Sequence, residues 1–248
     1  MTNPVFLITG GNRGLGRAMA DHLARGGADV VITTRGDASA VVADLSAHGT
    51  QIRALTLDTT ETASFAAFAE TLSATLAEMG HATLTGLVNN AGIGLYGPLA
   101  ETTEATFDTL YALHVKGPAL LTAALLPQLA DGGRLLFVST GLARFTLPGY
   151  GAYAAMKGAV EVMSRYWAKE LGPRGISSNV LAPGAIETDF GGGRTRDDAQ
   201  VNAMVAGFTA MGRAGLPDDV GAAAASLLLS QGNWVTGQRV EVSGGMFL

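Results

Sequence analysis

Short apolar runs alternate with longer stretches of helical spacing along the whole chain, and this rhythm limits the fold more than any other feature. VFLIT (5–9), DVVIT (29–33), IRALTL (52–57), LTGLVNN (84–90), RLLFVST (134–140), ISSNVLA (176–182) and RVEV (239–242) read as strands. Helical periodicity falls at 14–25, 61–79, 103–129, 152–171 and 217–230; in the first, Leu15, Met19, His22 and Leu23 recur at three-to-four spacing. Regular strand–helix alternation implies right-handed crossovers, hence an α/β fold with a doubly wound parallel sheet of about seven strands and helices on both faces. No Pro/Ser-rich linker, charge block or internal repeat breaks the pattern, so one domain spans 1–248. Only 188–212, TDFGGGRTRDDAQVNAMVAGFTAMG, departs from it, and its glycines and mixed polarity read as a flap over a site.

Composition narrows the class of function. Hydrophobic residues make up 48% and charged residues 15%, which suits a sheet covered on both faces. A net charge of −5 argues against nucleic acid and anionic membranes as partners. The absence of cysteine excludes disulfides, thiolate catalysis and cysteine metal sites, and no metal-binding cluster is visible. MTNPVFLITG lacks a basic segment before a long apolar run, and no stretch approaches 18 apolar residues, so a soluble cytoplasmic protein is expected.

Directly after the first run comes TGGNRGLG, residues 9–16. Glycines at 10, 14 and 16 allow a tight turn that brings backbone N–H groups against a pyrophosphate, and the following helix adds its positive N-terminal end. In that position the turn marks a Rossmann-type dinucleotide site. Arg13 lies within the turn, and Thr34 and Arg35 follow the second run with no carboxylate before Asp37. An acid there would accept from a free ribose 2′-OH, whereas a guanidinium offers a planar fork to a phosphate. NADP(H) is therefore preferred over NAD(H); two solvated surface arginines are the alternative.

TGGNRGLG, NNAG (89–92), YAAMK (153–157) and LAPGAIETDF (181–190), in this order, resemble the short-chain dehydrogenase/reductase family over essentially the whole chain. The resemblance implies that Gly10, Asn12, Arg13, Gly14, Leu15 and Gly16 form the cofactor turn, and that Thr34, Arg35, Asp58 and Thr59 surround the adenosine. It implies that Asn90, Ala91 and Gly92 line the cofactor, that Pro183, Gly184, Ile186 and Thr188 hold the carboxamide, and that Tyr153 and Lys157 are the catalytic pair.

Spacing alone nominates Tyr150 as well as Tyr153, since both fall on the face of Lys157. Pro148 and Gly149 disfavour helix before Tyr150, which leaves Tyr153 in the first turn. Hydride delivery to a carbonyl leaves an alkoxide that needs a proton, and an ordinary tyrosine titrates near about 10. Lowering it by about 3 units takes roughly 4 kcal/mol, about what one ammonium at ~4 Å supplies at an effective dielectric of ~20. Lys157 is expected to supply it, helped by the charge of an oxidised nicotinamide. By the same resemblance a third hydroxyl orients the substrate carbonyl, and Thr140 or its neighbour Ser139 fills that place. His114, in LHVKG, stands where the family has an asparagine that holds a water linking the lysine to solvent. It either preserves that relay, adds pH dependence to it, or simply packs.

Leu95, Tyr96, Ala143, Phe145, Tyr150, Phe190, Met204 and Phe208 lie on segments expected at the site mouth and favour an apolar or moderately polar small-molecule ketone or secondary alcohol. Arg144 reads as a lone surface arginine, and His22, His48 and His81 as structural or exposed. The expected activity is an NADP-dependent carbonyl reductase or alcohol dehydrogenase. A cofactor-binding sensor without chemistry and a plain structural scaffold are the competitors. The apolar end QRVEVSGGMFL suggests a homo-oligomer, a tetramer or dimer.

Overall fold

The computed structural model describes residues 3–248. Seven strands are present: β1 (Val5–Thr9), β2 (Asp29–Thr34), β3 (Ile52–Thr56), β4 (Leu84–Asn89), β5 (Leu129–Val138), β6 (Ser177–Pro183) and β7 (Arg239–Val242). They form one sheet in the order β3-β2-β1-β4-β5-β6-β7, and every pairing is parallel. The helices are α1 (Gly14–Arg25), α2 (Ser39–Ser46), α3 (Phe65–Glu78), α4 (Glu104–Tyr111), α5 (Gly117–Leu125), α6 (Gly151–Leu171), α7 (Arg194–Asp197), α8 (Ala199–Phe208) and α9 (Pro217–Leu228).

Strand side chains alternate between two cores, as the two-residue period demands. Leu7, Val31, Leu87, Leu135 and Phe137 pack under α3, α5 and α6 through Phe68, Leu72, Leu121 and Val160. Phe6, Ile8, Val30, Ile32, Val88 and Leu136 pack under α1 and α9 through Met19, Leu23, Val220 and Leu228. Burial on both sheet faces explains why β1, β2 and β4 read as apolar runs, while the outer strands β3 and β7 are only partly buried and carry Arg53, Arg239 and Glu241. The order reverses between β1 and β4, and the crevice at such a reversal is where open α/β sheets bind ligands.

Three expectations need correction. The helix expected over 103–129 is one rod from Glu104, but it widens into a π turn at Ala112–Lys116 and ends in a short 3₁₀ turn. By length and apolarity this rod could span a bilayer; one side of it packs on the domain through the buried Leu110, Leu121 and Leu125. Helix α2 is unheralded in the sequence because it is short and Ala38 before it provides no side-chain cap. The flap 188–212 carries α7 and α8, the latter capped by the Asp198 carboxylate on the amides of Gln200 and Val201. Gly191, Gly192 and Gly193 all take positive φ, so the chain can turn sharply between β6 and these helices.

Candidate active site

The turn after β1 is built for close backbone approach. Gly10 and Gly14 have positive φ, and a Cβ on Gly16 would collide with the Gly10 carbonyl. Asn90 does not reach outward: its Nδ2 donates to the carbonyls of Thr9 (2.8 Å) and Gly10 (3.2 Å). Thr9 Oγ1 accepts from the amides of Asn90 and Ala91. Asn90 and Ala91 thus lock the β1 and β4 loops together. Leu15 packs towards the core, whereas Asn12 is half-buried and Arg13 exposed at the turn. Across the cleft a Cβ on Gly14 would lie 3.7 Å from Thr188 Cγ2, so the loops after β1 and β6 face each other. Gly184 lies close against Ser243 and donates its amide to Val242, while Ile186 pairs with Gly215.

At the ends of β2 and β3, a hollow of about 550 Å³ is lined by Thr34, Arg35, Gly36, Asp37, Ser39 and neighbours. Arg35 is largely exposed, and its only ion pair among the described residues is a long one, 3.4 Å to Asp58. Asp58 accepts from the hydroxyl (2.7 Å) and amide (2.9 Å) of Thr60, which hold its carboxyl below the usual range, with Arg35 adding to the effect. Thr59 is buried under the start of α5. Asp37 accepts from the amide and hydroxyl of Ser39 at the start of α2.

The chemistry-bearing residues meet where β5 ends. Tyr150 precedes the first turn of α6, so Tyr153 falls in that turn and Lys157 one turn on, both buried. The Thr140 side chain lies close enough to the Tyr153 hydroxyl to favour its ionised form, and Thr140 Oγ1 itself accepts from the Leu142 amide at 3.2 Å. Lys157 Nζ donates to the Val138 carbonyl at 2.7 Å and lies 5.8 Å from the centre of the Tyr153 ring. Ser139, on the opposite side of the strand, donates instead to Glu161 Oε1 at 2.7 Å, and Glu161 is held in turn by Arg239. Of the two hydroxyls, that of Thr140 is the one beside Tyr153.

Charge balance here departs from expectation. Burial pushes the Tyr153 phenol above its ordinary range; the nearby Thr140 side chain opposes this and Tyr150 adds to it. Burial pushes Lys157 down to about 7. With protein groups alone, desolvation therefore outweighs the acidifying effect expected of the ammonium. His114 sits edge-on to Tyr153, with ring centres 5.3 Å apart. Its Nε2 donates to the Ile93 carbonyl at 2.9 Å, and its buried Nδ1 has no partner among the described residues. Burial, and then the Lys157 charge, push it down to about 3, so it stays neutral and adds no titration near neutrality. Gly92 makes room for it, since a Cβ there would lie 2.7 Å from His114 Cε1.

The mouth residues divide. Leu95 and Tyr150 pack beside Tyr153, Tyr96 meets Tyr150 edge-on at 5.6 Å, and Phe190 lies 5.8 Å from Tyr153. Ala143 lies in the turn that follows Thr140, and Met204 is exposed on α8. Phe145 and Phe208 instead pack on Phe247. Arg144 is not a lone surface residue: it grips Glu241 through two 2.7 Å bonds and the Met246 carbonyl through a third. The sequence had no means of showing the Val138 and Ile93 carbonyls, because backbone acceptors leave no residue signature. Leu142, packed beside Tyr153, was also missed as an ordinary apolar residue.

A reversal-point crevice, a glycine cradle and a buried Tyr–Lys–Thr cluster at its edge define a dinucleotide-linked oxidoreductase scaffold. A family model described as enoyl-(acyl carrier protein) reductase matches residues 10–247, and the chain belongs to the short-chain dehydrogenase/reductase family of oxidoreductases. The promiscuous reductase LugOII, described as catalysing keto-reduction at C1 during lugdunomycin biosynthesis, is 32% identical with a TM-score of 0.93, covering 100% of this chain and 99% of its own. A blue fluorescent protein from a metagenomic library, solved with NADPH, is 33% identical with a TM-score of 0.88 (98% and 97% covered). The 3-oxoacyl-[acyl-carrier protein] reductase from Brucella melitensis, solved with NAD, is 27% identical with a TM-score of 0.90 (99% and 97% covered).

Proposed function

We propose that the protein is an NADPH-dependent carbonyl reductase acting on ketones, the reverse alcohol oxidation being open to the same residues. One observation carries this reading: Tyr153 and Lys157 are buried one helical turn apart at the edge of the cleft, with the Thr140 side chain beside the Tyr153 hydroxyl. The glycine turn fits a dinucleotide, because its packing leaves no room for a side chain facing the Gly10 carbonyl. The residues that would hold the cofactor are Gly10–Gly16, Thr34, Arg35, Asp58, Thr59, Asn90–Gly92, Pro183, Gly184, Ile186, Thr188 and Lys157.

When bound, the nicotinamide supplies hydride to the carbonyl carbon. Tyr153 gives its proton to the carbonyl oxygen, and Thr140 aligns that oxygen by a second hydrogen bond. Lys157 commits one N–H to Val138 and has two left, for the ribose and for proton resupply; its position near about 7 suits exchange in both directions. His114 Nδ1 is an acceptor fixed in one tautomer by Ile93, suited to hold a water behind Lys157. Arg13 and Arg35 support a preference for the 2′-phosphate, since Arg35 is exposed and only loosely paired. A homo-oligomer is also proposed.

The test is NADPH oxidation with a panel of ketones. Tyr153→Phe should lose about 10²–10⁴ in rate while still binding NADPH. Near-normal turnover by that variant would refute the assignment. Equal dissociation constants for NADPH and NADH would remove the role given to Arg13 and Arg35.

A further inference from the structure

We infer that the pocket in front of Tyr153 is an aromatic slot that selects neutral, planar aromatic ketones over saturated ones of the same size; this rests on the ketone-reductase reading above. Two rings border Tyr153, Tyr150 before α6 and Phe190 after β6, and a third, Tyr96 after β4, packs edge-on against Tyr150. Phe190 adjoins the Tyr153 ring, and the Tyr150 hydroxyl lies near enough to raise the Tyr153 pKa. A ketone approaching Tyr153 would meet this group of rings. Tyr96 and Phe190 are also unusually open for large rings, at 63% and 46% exposure. Covering such faces is favourable, and aromatic pairs gain further from edge-to-face and offset contacts.

Both open rings are held in place. Phe190 rests on Gly94, where a Cβ would lie 2.5 Å from its Cε1, and Tyr96 rests on Gly149, where a Cβ would overlap the ring. Tyr96 is further braced edge-on by Tyr150 at 74°. The rings are therefore seated walls rather than freely swinging side chains. Two of the charges on the same segments are committed, Arg196 to Asp189 and Asp197 and Arg144 to Glu241, while Arg194 is exposed on α7. Neither of those arginines is free to bind an ionised substrate, and the side chains packed nearest Tyr153 are aromatic and apolar.

The experiment compares 2-tetralone with 2-decalone, the saturated ketone on the same two-ring skeleton, in the wild type, Tyr96→Leu and Phe190→Leu. The wild type should favour 2-tetralone by about tenfold or more in kcat/KM, and each variant should bring the ratio within about threefold. In parallel, titration calorimetry of 2-naphthol into protein containing NADP⁺ should show Kd weakening about tenfold in each variant, with melting curves reporting that both remain folded. A wild-type ratio near one, or unchanged 2-naphthol affinity in both variants, overturns the slot. Failure to reduce any ketone while 2-naphthol affinity still depends on Tyr96 and Phe190 would overturn the reductase reading and leave the slot standing.

Discussion

At the residue scale, Ser139 and Thr140 show how one strand position separates chemistry from packing. Ser139 Oγ satisfies Glu161 behind the strand, so Ser139→Ala should cost about 1 kcal/mol of stability and little rate. Thr140→Val should keep most of the stability and lose far more rate; steady-state kinetics with denaturant melts on both variants checks this. Lys157 makes a sharper case. Its folded pKa of about 7 lies below that of an ordinary lysine, so the unfolded chain binds the proton more tightly. Stability therefore rises with pH above about 7, and below it the desolvation cost is carried in full. Lys157→Met should then be more stable than wild type by about 1–4 kcal/mol at pH 6, a gain that shrinks by pH 9, while turnover disappears. Urea melts at the two pH values test this, and a Met variant less stable at pH 6 would refute it. His114, held neutral with a folded pKa of about 3, likewise loses stability as pH falls below the ordinary histidine range. His114→Asn should flatten the acid side of the stability curve and leave the rate–pH profile near neutrality unchanged in shape. The remaining histidines serve structure: His22, His48 and His81 meet Asp218, Asp21 and Asp29, and Asp21 is shared with Arg25.

At the scale of elements, the helix 104–125 turns on a glycine. A Cβ on Gly117 would overlap the Thr59 carbonyl, so this helix crosses the loop after β3 at backbone contact and fixes Asp58 and Thr59 at the cleft. Alanine normally gains about 1 kcal/mol over glycine within a helix. Here overpacking should win, and Gly117→Ala should destabilise by about 1–3 kcal/mol and weaken NADPH binding. A stabilised variant with unchanged affinity would show that the crossing is looser. The same elements show what a sequence can disclose. The central strands were readable because burial on both faces leaves runs such as VFLIT and DVVIT apolar, whereas the outer strands β3 and β7 are only partly buried and were legible from the strand–helix rhythm. Helix α8 carried a legible cap in Asp198, but three glycines before α7 masked both as loop. The π turn that points His114 inward was invisible, since it depends on how a helix fits its neighbours and not on local preference. Tyr153, Lys157 and the glycines were legible because their chemistry demands fixed residue types at fixed spacing. The acceptors that orient Lys157 and His114 are peptide carbonyls, which any residue could supply.

For the whole molecule, the reason for expecting a homo-oligomer moves from the chain end to a helical face. Met246 is buried, Phe247 packs on Phe208 and Phe145, and only Leu248, 96% exposed, remains open, so most of the terminal apolar surface is covered within the chain itself. Exposed apolar side chains also group on three helices, Phe107 and Tyr111 on α4, Leu120 on α5, and Val162 and Tyr166 on α6, besides others such as Leu99, Met211 and Trp234. Within α4 and α6 these residues fall four apart, so each pair shares a helix face, and the two helices touch. A contiguous apolar face of this kind is costly to leave in water and suits a self-complementary contact between two copies about a two-fold axis. Sedimentation velocity should find the wild type as a dimer or tetramer at micromolar concentration. Tyr166→Glu, which sets a charge in the middle of that face but outside the cleft, should shift it towards monomer with its fold retained by circular dichroism. A wild type that sediments as a monomer, or a variant whose assembly is unchanged, would place the subunit contact elsewhere or remove it.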